Sequence, residues 1–411
     1  MWSDVVTHPL VWFFSLFLGI LWVSRILEVF VNRKSVPDIT SPEYEKTPAE
    51  SHDRLPRVSI IVPARNEAEH IENALLSLLQ LDYPDYEVIA VDDRSEDATG
   101  ATMDRLDASW RGREEAFHHL LKVLHVDRLP AGWLGKVHAM WMAAKEATGE
   151  WLLFTDADVV FRPDALRRAM VYGQKTRADH VVVFPTMILE GIGERMMMAF
   201  FQSQFVFSHR PWKVADPMAR DSIGVGAFNL LRRHAYDRIG TYAALRMSVL
   251  DDMDLGELVK QNGFTQRCAF GRDLLRLRWV VGPFGMVRNL TKNIFAILRF
   301  NVALAVAGIC GIVLINLGPF VGFWLARGCA TLGYAVAMLC VAVMYLGMAT
   351  RSDISPLYFF LHPVGTLIFA YAVARSMVLT IARGGIVWRG TWYSLQQLKQ
   401  FSKQKPRWDW L

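Results

Sequence analysis

Long apolar segments at both ends of the sequence constrain the fold more than any other feature. Thr7 to Val23 carries no charge after His8, and three further apolar segments run from Val302 to Leu325, Cys329 to Ala349 and Pro356 to Ala374. A helix needs roughly 20 apolar residues to cross a bilayer. The 411 residues are 52% hydrophobic, and this excess is concentrated at the two ends. The sequence therefore predicts membrane helices on both sides of a more polar domain.

The first apolar segment is predicted to be a retained anchor. A basic region would precede a cleaved signal peptide and small residues would follow it, and neither is present. Basic residues occur just after the segment, at Arg25, Arg33 and Lys34, whereas residues 1–6 contain none. Since Lys and Arg favour the cytoplasmic side, the polar domain is predicted to be cytosolic, at a bacterial-type inner membrane.

The C-terminal end of the sequence gives a conflicting prediction of membrane topology. Its basic tail, 383–411, also favours the cytosol, yet three complete C-terminal spans would place it on the opposite side. Residues 356–382 contain His362, Pro363 and Arg375. We therefore predict that this segment is re-entrant or interfacial.

Charge and composition divide the chain into five parts. They are an anchor helix (1–31), a linker (32–56), an α/β domain (57–290), membrane segments (291–382) and the basic tail (383–411). The net charge of +5 comes with basic residues near the membrane segments, which favours contact with anionic lipid headgroups. No nucleic-acid signature is present. The four cysteines show no CxxC spacing, so neither a thiolate metal site nor a disulfide framework is predicted.

The polar domain shows alternating strand and helix patterns. Residues 57–80 read as a strand, a turn and a helix with apolar positions at Ile71, Leu75 and Leu78. Residues 86–100 begin with a second strand that ends in aspartates. Polar residues at strand carboxyl ends are typical of a nucleotide cleft. The sequence lacks G-x-G-x-x-G and the P-loop pattern, which argues against a dinucleotide fold and a P-loop NTPase.

A third strand, Leu152 to Phe154, is followed by Asp156 and Asp158. Two aspartates separated by one residue on an extended chain point the same way, so both can face one cation. Taken alone, the pair could equally be an ordinary polar strand end.

Five motifs in order carry a family resemblance. "VSIIVPARNE", "VDDRSEDAT", "GWLGKVHAMWMAA", "TDADVVF" and "VLDDMDLGELVKQNG" resemble those of inverting glycosyltransferases of family 2, which have the GT-A fold. The resemblance covers about 57–280. It implies a nucleotide-sugar-binding domain with a Rossmann-like mixed sheet, flanked here by membrane helices. With "PAGWLGK" and the flanking anchors, the sequence is most similar to the ceramide glucosyltransferase-like branch, which includes bacterial hopanoid-associated and carotenoid glycosyltransferases.

The resemblance implies a metal and a nucleotide site. Mg²⁺ or Mn²⁺ is expected on Asp158, with Asp156 on the same metal or on the ribose. The residues expected to bind the donor are Pro63, Ala64, Arg65, Glu67, Asp92, Asp93, Lys136 and Asp156. Asp93, and secondarily Asp92, corresponds to the carboxylate that accepts a hydrogen bond from the base, although either could instead cap the following helix.

The remaining donor contacts are implied in the same way. Arg65 could stack its guanidinium plane on the base. Lys136 is expected to meet the diphosphate or to orient the loop of Asp156 and Asp158, its alternative being a solvated lysine before a helix.

The acid pair in "LDDMDL" is expected to supply the general base. Asp252 matches the base of similar enzymes, and Asp251 stands where a glutamate is more usual. One of the two could do no more than cap the helix that follows. In "LLRLRW", Leu275 replaces the glutamine of the Q-x-x-R-W pattern, while Arg278 and Trp279 remain as candidates for the diphosphate and acceptor sites. Losing that glutamine weakens a claim of processive synthesis.

Two segments favour a lipid acceptor. Residues 194–212 read as a helix at the membrane surface or a buried core helix, and 284–300 alternates basic and apolar residues as an interfacial helix does. The function predicted is transfer of a hexose from a nucleotide sugar, a UDP-sugar, to a membrane lipid with inversion. The alternatives are a processive polysaccharide synthase and a non-catalytic membrane scaffold.

Overall fold

A computed structural model describes residues 9–45, 55–111, 119–282, 284–350 and 352–404. Residues 1–8 of the predicted anchor, 46–54 of the predicted linker and 405–411 of the predicted tail lie outside these ranges. The chain forms two compact units, each assembled from separate segments. The apolar unit comprises 1–34, 189–212 and 279–386, and the sheet unit comprises 35–188, 213–278 and 387–411.

The sheet unit alternates strands and helices. In chain order its elements are β1 Val58–Ala64, α2 Ile71–Leu79, β2 Tyr86–Asp92, α3 Thr99–Arg111, β3 His119–His125, α4 Gly135–Glu146, β4 Trp151–Phe154, β5 Val160–Phe161, α5 Ala165–Lys175, β6 His180–Phe184, β7 Thr186–Met187, β8 Asn229–Arg232, α7 Arg233–Arg238, α8 Asp251–Gln261, β9 Gln266–Phe270, β10 Leu275–Leu277, β11 Gly385–Trp388, β12 Thr391–Ser394 and α14 Leu395–Gln404. The predicted α/β class is confirmed.

A mixed seven-stranded sheet has the strand order β3-β2-β1-β4-β8-β6-β9. The strands β1 to β4 pair in parallel, and β8 lies antiparallel between β4 and β6. Ala64 pairs with Asp92, and Ile61 pairs with Phe154. The carboxyl ends of β1, β2 and β4 therefore meet at one edge of the sheet, where polar residues follow each strand.

The helical periodicity of the first motif is confirmed. Ile71, Leu75 and Leu78 are buried on one face of α2. Every residue of β1 and β2 is buried, as is typical of parallel strands inside an α/β domain.

Two smaller sheets complete this unit. The strands β5, β10 and β7 form one, and β11 and β12 form the other. The sheet of β11 and β12 lies in the segment that was predicted to be a basic tail, where no strand was predicted.

The apolar unit consists of helices: α1 Pro9–Asn32, α6 Ile192–Ser208, α9 Gly285–Ile297, α10 Val302–Asn316, α11 Gly318–Leu325, α12 Ala330–Ala349 and α13 His362–Ala382. Among the described residues, three helical segments are long and apolar enough to cross a membrane: Pro9–Asn32, Ala330–Ala349 and Pro356–Ala382. The pair α10 and α11 would be a fourth, and it is bent by 50°.

Small residues let α1 and α12 approach closely. A Cβ added to Gly19 would lie 3.2 Å from the Gly333 oxygen, and one added to Gly333 would lie 2.6 Å from the Ser15 oxygen. The Ser15 hydroxyl donates a hydrogen bond to the Ala330 carbonyl. In lipid, where hydrophobic association is absent, such close backbone contact is what holds helices together.

A bend interrupts the first of the C-terminal apolar segments. Residues 356–382, predicted to be re-entrant or interfacial, contain one continuous helix of 21 residues, α13, and this prediction stays a prediction. The bend falls at Leu317 between α10 and α11, where Gly318 and Pro319 follow. Proline removes a backbone donor and clashes with the preceding turn, so it bends the helix there.

Of the two readings for 194–212, the structure favours burial within the apolar unit. Phe200 of α6 is fully buried, and its ring lies 5.1 Å from His362 and 5.5 Å from Phe369. The Gln204 amide donates to the Asn316 side chain at 2.8 Å, so a polar pair is satisfied inside the unit.

Candidate active site

Lys136 links two of the predicted acidic motifs. Its Nζ lies 2.7 Å from an Asp156 carboxylate oxygen and 3.2 Å from one of Asp251. Lys136 enters from the first turn of α4, Asp156 follows β4, and Asp251 begins α8. Three segments that are distant in sequence therefore meet at one buried ammonium group.

A glycine loop joins this cluster to Asp252. The Gly226 carbonyl accepts a hydrogen bond from the Asp156 amide at 3.0 Å, and the Gly226 amide donates to the Asp252 carboxylate at 2.9 Å. A Cβ on Gly226 would lie 2.5 Å from the Asp156 carboxylate, and one on Gly224 would lie 1.7 Å from the Asp252 carbonyl oxygen. Only glycines allow the backbone to pass this close to both acids.

The charged groups of this cluster shift one another's pKa values. Burial alone would lower the pKa of Lys136, but the charges of Asp156, Asp251 and Asp252 outweigh it and raise that pKa well above its usual range. Burial also raises the pKa of Asp251, against the attraction of Lys136. For Asp252, burial and then the charge of Asp251 raise the pKa to about 7. An acid of this kind can exchange a proton near neutral pH.

Asp158 lies half-buried two residues beyond Asp156. Burial and the negative charge of Asp156 raise the pKa of Asp158, which Arg389 and His70 partly oppose. Among the described residues, no three His, Cys, Asp or Glu side chains converge on a preformed metal site. Two crowded carboxylates nevertheless fit a hard divalent cation whose other positions are filled by oxygens of a bound ligand and by water.

Asp92 and Asp93 hold different positions after β2. The Asp92 carboxylate accepts from the Ser95 amide at 3.0 Å and lies 3.3 Å from His125 Nδ1, so it fixes the loop that follows. Asp93 is buried, and Arg94 Nε donates to it at 2.8 Å. A Cβ on Gly135 would lie 2.1 Å from the Asp93 carboxylate, which places Asp93 at the start of α4.

The turn after β1 meets the C-terminal hairpin formed by β11 and β12. Pro63 and Ala64 are the last residues of β1, and Arg65 Nη1 donates to the Thr391 hydroxyl at 3.0 Å. The Gly135 amide donates to the Tyr393 hydroxyl at 3.1 Å, and Arg389 Nη2 lies 3.5 Å from a Glu67 carboxylate oxygen.

A narrow cleft lies beneath this hairpin, and its side chains are packed so closely that it holds no room for a water molecule. Its lining residues are Arg65, Asp93, Gly135, Lys136, Trp388, Arg389 and Tyr393. Sequence reasoning missed the three residues of the hairpin. The only local signal was the alternation in "IVWRGTWYS" around an Arg-Gly pair, which is typical of a short hairpin.

Arg278 belongs to the sheet unit and Trp279 to the apolar unit. Arg278 follows β10 and is half-buried. The Trp279 ring lies 5.2 Å from Phe201 of α6, and its carbonyl accepts a hydrogen bond from Asn289. Their predicted roles at the diphosphate and acceptor sites stay predictions.

Comparison with known proteins identifies the class. Residues 59–253 match the family model described as Glycosyl transferase family 2. The fold is similar to that of a mannosyltransferase from Pyrobaculum calidifontis, with a TM-score of 0.50 and 19% identity, over 89% of this chain and 98% of that one. The predicted GT-A fold is confirmed, and residues 59–253 form a domain that matches glycosyltransferase family 2. It is an enzyme, which removes the alternative of a non-catalytic scaffold.

Two curated relatives differ in how much they share with this chain. A 4,4'-diaponeurosporenoate glycosyltransferase of Staphylococcus aureus is 23% identical over 397 residues, which are 92% of this chain and 99% of that protein. A poly-beta-1,6-N-acetyl-D-glucosamine synthase of Staphylococcus epidermidis is 28% identical over 156 residues, which are 37% of this chain and 33% of that one.

Proposed function

We propose that this enzyme transfers a hexose from a nucleotide sugar, a UDP-sugar, to a membrane lipid by single displacement with inversion. One observation carries the proposal: Lys136 holds Asp156 and Asp251 within hydrogen-bonding distance of one ammonium group. The residues proposed to act on the donor and those proposed to act on the acceptor therefore lie next to each other. The reaction needs a stabilised leaving diphosphate on one side of the sugar and a base for the acceptor hydroxyl on the other.

On the donor side, Asp158 and Asp156 would hold Mg²⁺ or Mn²⁺. The bound cation would neutralise the negative charge of the departing diphosphate. The similar mannosyltransferase is described in complex with GDP-Man and Mn²⁺, which supports a nucleotide-sugar donor and a divalent ion here. Lys136 adds a fixed positive charge beside Asp156 and orients that carboxylate.

On the acceptor side, Asp252 takes the proton of the attacking hydroxyl. A neutral hydroxyl is a weak nucleophile, and a carboxylate within hydrogen-bonding reach removes its proton as the new bond forms. The Gly226 and Met253 amides donate to the Asp252 carboxylate at 2.9 and 2.8 Å and fix its orientation. Asp251, held by Lys136, is a positioning residue.

The acceptor is a membrane lipid. The relative that spans nearly this whole chain is named for glycosylating diaponeurosporenoate, and this chain has three candidate membrane spans. Mass spectrometry of total lipids from cells with and without the gene tests the proposal. The expected result is one lipid class that differs by the mass of a single hexose. If the product's anomeric configuration in NMR equals the donor's, single displacement is wrong.

A processive polysaccharide synthase is the second candidate, because part of the domain matches such an enzyme. The two differ in product. Purified enzyme with radiolabelled UDP-sugar should give one addition per acceptor, whereas a ladder of sugars would favour the synthase.

The topology of the membrane segments supports a cytosolic active site. Arg65 and Gly135 bond to Thr391 and Tyr393, so residues before and after the C-terminal apolar segments lie on the same side of the membrane. An even number of crossings must separate them. The bent pair α10 and α11 is then re-entrant, α12 and α13 cross, and the basic residues after α1 set the orientation.

Cysteine labelling in intact cells tests this topology. In a variant that lacks the native cysteines, an impermeant maleimide should label Ser352→Cys, between α12 and α13. It should not label Lys399→Cys until the membrane is opened. Labelling of Lys399→Cys in sealed cells would contradict the cytosolic site.

A further inference from the structure

The turn of the C-terminal hairpin holds an arginine in a conformation that arginine disfavours. Arg389 has φ 47° and Gly390 has φ 75° between β11 and β12. Two-residue hairpin turns with positive φ at both positions strongly prefer Asn-Gly. Side chains other than Gly, Asn or Asp are disfavoured in this region, because Cβ crowds the following carbonyl oxygen. Such strain is concentrated at functional positions, so the arginine calls for a role beyond the turn.

The hairpin is fixed to the donor side of the sheet unit at three points. The Thr391 hydroxyl accepts from Arg65, and the Tyr393 hydroxyl accepts from the first amide of α4 at Gly135. Arg389 itself lies 3.5 Å from Glu67. The guanidinium of Arg389 is thereby held over the turn that follows β1.

Three basic side chains line the pocket beneath the hairpin, namely Arg65, Lys136 and Arg389. Lys136 is paired with Asp156 and Asp251, and Arg389 is paired with Glu67. Two buried nitrogens in the described part of the chain, Arg65 Nε and Arg389 Nη1, have no hydrogen-bond partner. Arg65 is only 8% exposed. Buried guanidinium nitrogens without acceptors are costly, so an anionic ligand that supplies acceptors is expected there.

We propose that Arg389 of the C-terminal hairpin, together with Arg65, binds the diphosphate of the donor. The proposal rests on the function proposed above and adds a binding residue from a segment outside the matched family domain, which ends at residue 253. The planar guanidinium groups of two arginines suit the oxygens of a diphosphate. Lys136 lines the same pocket and contacts Asp156, so the pocket adjoins the carboxylate proposed to hold the metal.

These arginines also act in the transfer step. When the bond between the sugar's anomeric carbon and the diphosphate oxygen breaks, its electron pair remains on that oxygen. The acceptor oxygen forms the new bond, and its proton passes to Asp252. Arg389 and Arg65 stabilise the charge that develops on the leaving diphosphate.

Arg389→Asn tests the proposal without disturbing the turn. Asparagine tolerates positive φ, so the variant keeps or improves the hairpin while it removes the guanidinium. Binding of UDP, GDP, UMP and GMP to full-length enzyme in detergent with Mn²⁺ is measured by calorimetry. For the base that the wild type prefers, the affinities for the diphosphate and for the monophosphate are then compared between wild type and variant. Lys399→Gln, an exposed position on the neighbouring α14, is the matched control.

We expect Arg389→Asn to weaken diphosphate binding by about 10- to 100-fold, as the loss of charge-assisted hydrogen bonds does, while monophosphate binding changes little. Arg389→Lys should restore part of the affinity. Equal loss for diphosphate and monophosphate would mean that the hairpin only supports the site, and unchanged affinity for both would mean that Arg389 does not touch the donor. Either result overturns the inference. A wild type that binds no nucleotide would instead refute the proposed function.

Discussion

Lys136 Nζ lies 2.7 Å from an Asp156 carboxylate oxygen, with only 10% of the Lys136 side chain exposed. The same nitrogen lies 3.2 Å from Asp251, so one buried cation offsets two buried acids. This pairing connects the strand-end motif that is proposed to face the donor with the acid pair that is proposed to face the acceptor. Under the proposed function, folding and catalysis both depend on this side chain.

Lys136→Met should strongly destabilise the sheet unit. It leaves the buried Asp251 and the half-buried Asp156 without their cation, and breaking a buried pair costs about 3–5 kcal/mol. The free energy of unfolding is measured in detergent with denaturant. Lys122→Met is the control, since its partner Glu146 is exposed. A Lys136→Met protein as stable as the control would mean that the ion pairs of Lys136 make no net contribution to the free energy of unfolding.

Asp158→Asn should abolish the metal dependence of nucleotide binding. Its carboxylate is crowded against Asp156, and an amide is a weaker ligand for a hard cation. Affinity for the nucleoside diphosphate is compared with Mn²⁺ and with EDTA. The wild type should bind more tightly with Mn²⁺, whereas the variant should show nearly equal affinities. Asp127→Asn, an exposed change, should retain the wild-type ratio. A variant that keeps this ratio would place the metal on other residues.

The pH dependence of kcat/KM should reflect the pKa of Asp252. Burial and the charge of Asp251 raise its pKa to about 7, and the base must be deprotonated to accept a proton. Below that pKa, kcat/KM should therefore rise about tenfold per pH unit, and above it the profile should level off.

Asp252→Asn should lower kcat by about 10²- to 10⁴-fold with donor binding retained. Asp251→Asn should cost less, because it keeps a side chain that can bond to Lys136. If Asp251→Asn is the more damaging in turnover, the roles are exchanged. If neither change matters, the base is another residue.

Gly226→Ala should reduce activity without unfolding the sheet. The added Cβ would lie 2.5 Å from the Asp156 carboxylate, so the loop or the acid must shift. A displacement of about 1 Å in a reacting group can cost roughly 10²-fold in rate. Circular dichroism and initial rates are compared with Gly347→Ala, where a Cβ meets nothing within 4 Å. Equal rates in the two variants would show that this close approach is dispensable.

Local patterns were enough to predict the class of fold and the acids of the site. The short apolar runs of β1 and β2 match strands that are buried on both faces, and the helical spacing of Ile71, Leu75 and Leu78 matches the buried face of α2. Asp156 and Asp158 could be assigned to the end of a strand because the apolar run before them is short and ends there. The length of the apolar segments likewise indicated membrane helices.

Other features depend on contacts that no local pattern contains. Arg65 meets Thr391 across 326 positions of the chain, so the hairpin looked like a basic tail when its sequence was considered alone. The bend at Leu317 was not predicted. His362, which suggested that 356–382 does not span the membrane, is fully buried by packing.

The sequence by itself determined the sheet, the membrane helices and the identities of the acids, since each follows from the burial periodicity or chemistry of neighbouring residues. Only the tertiary structure decided that Lys136 joins two acidic motifs, that Gly224 and Gly226 pass beside those acids, and that Arg389 lines a pocket with Arg65 and Lys136. The physical reason is that charge pairing and close backbone approach depend on distances in space, which arise only when segments far apart in the chain pack together.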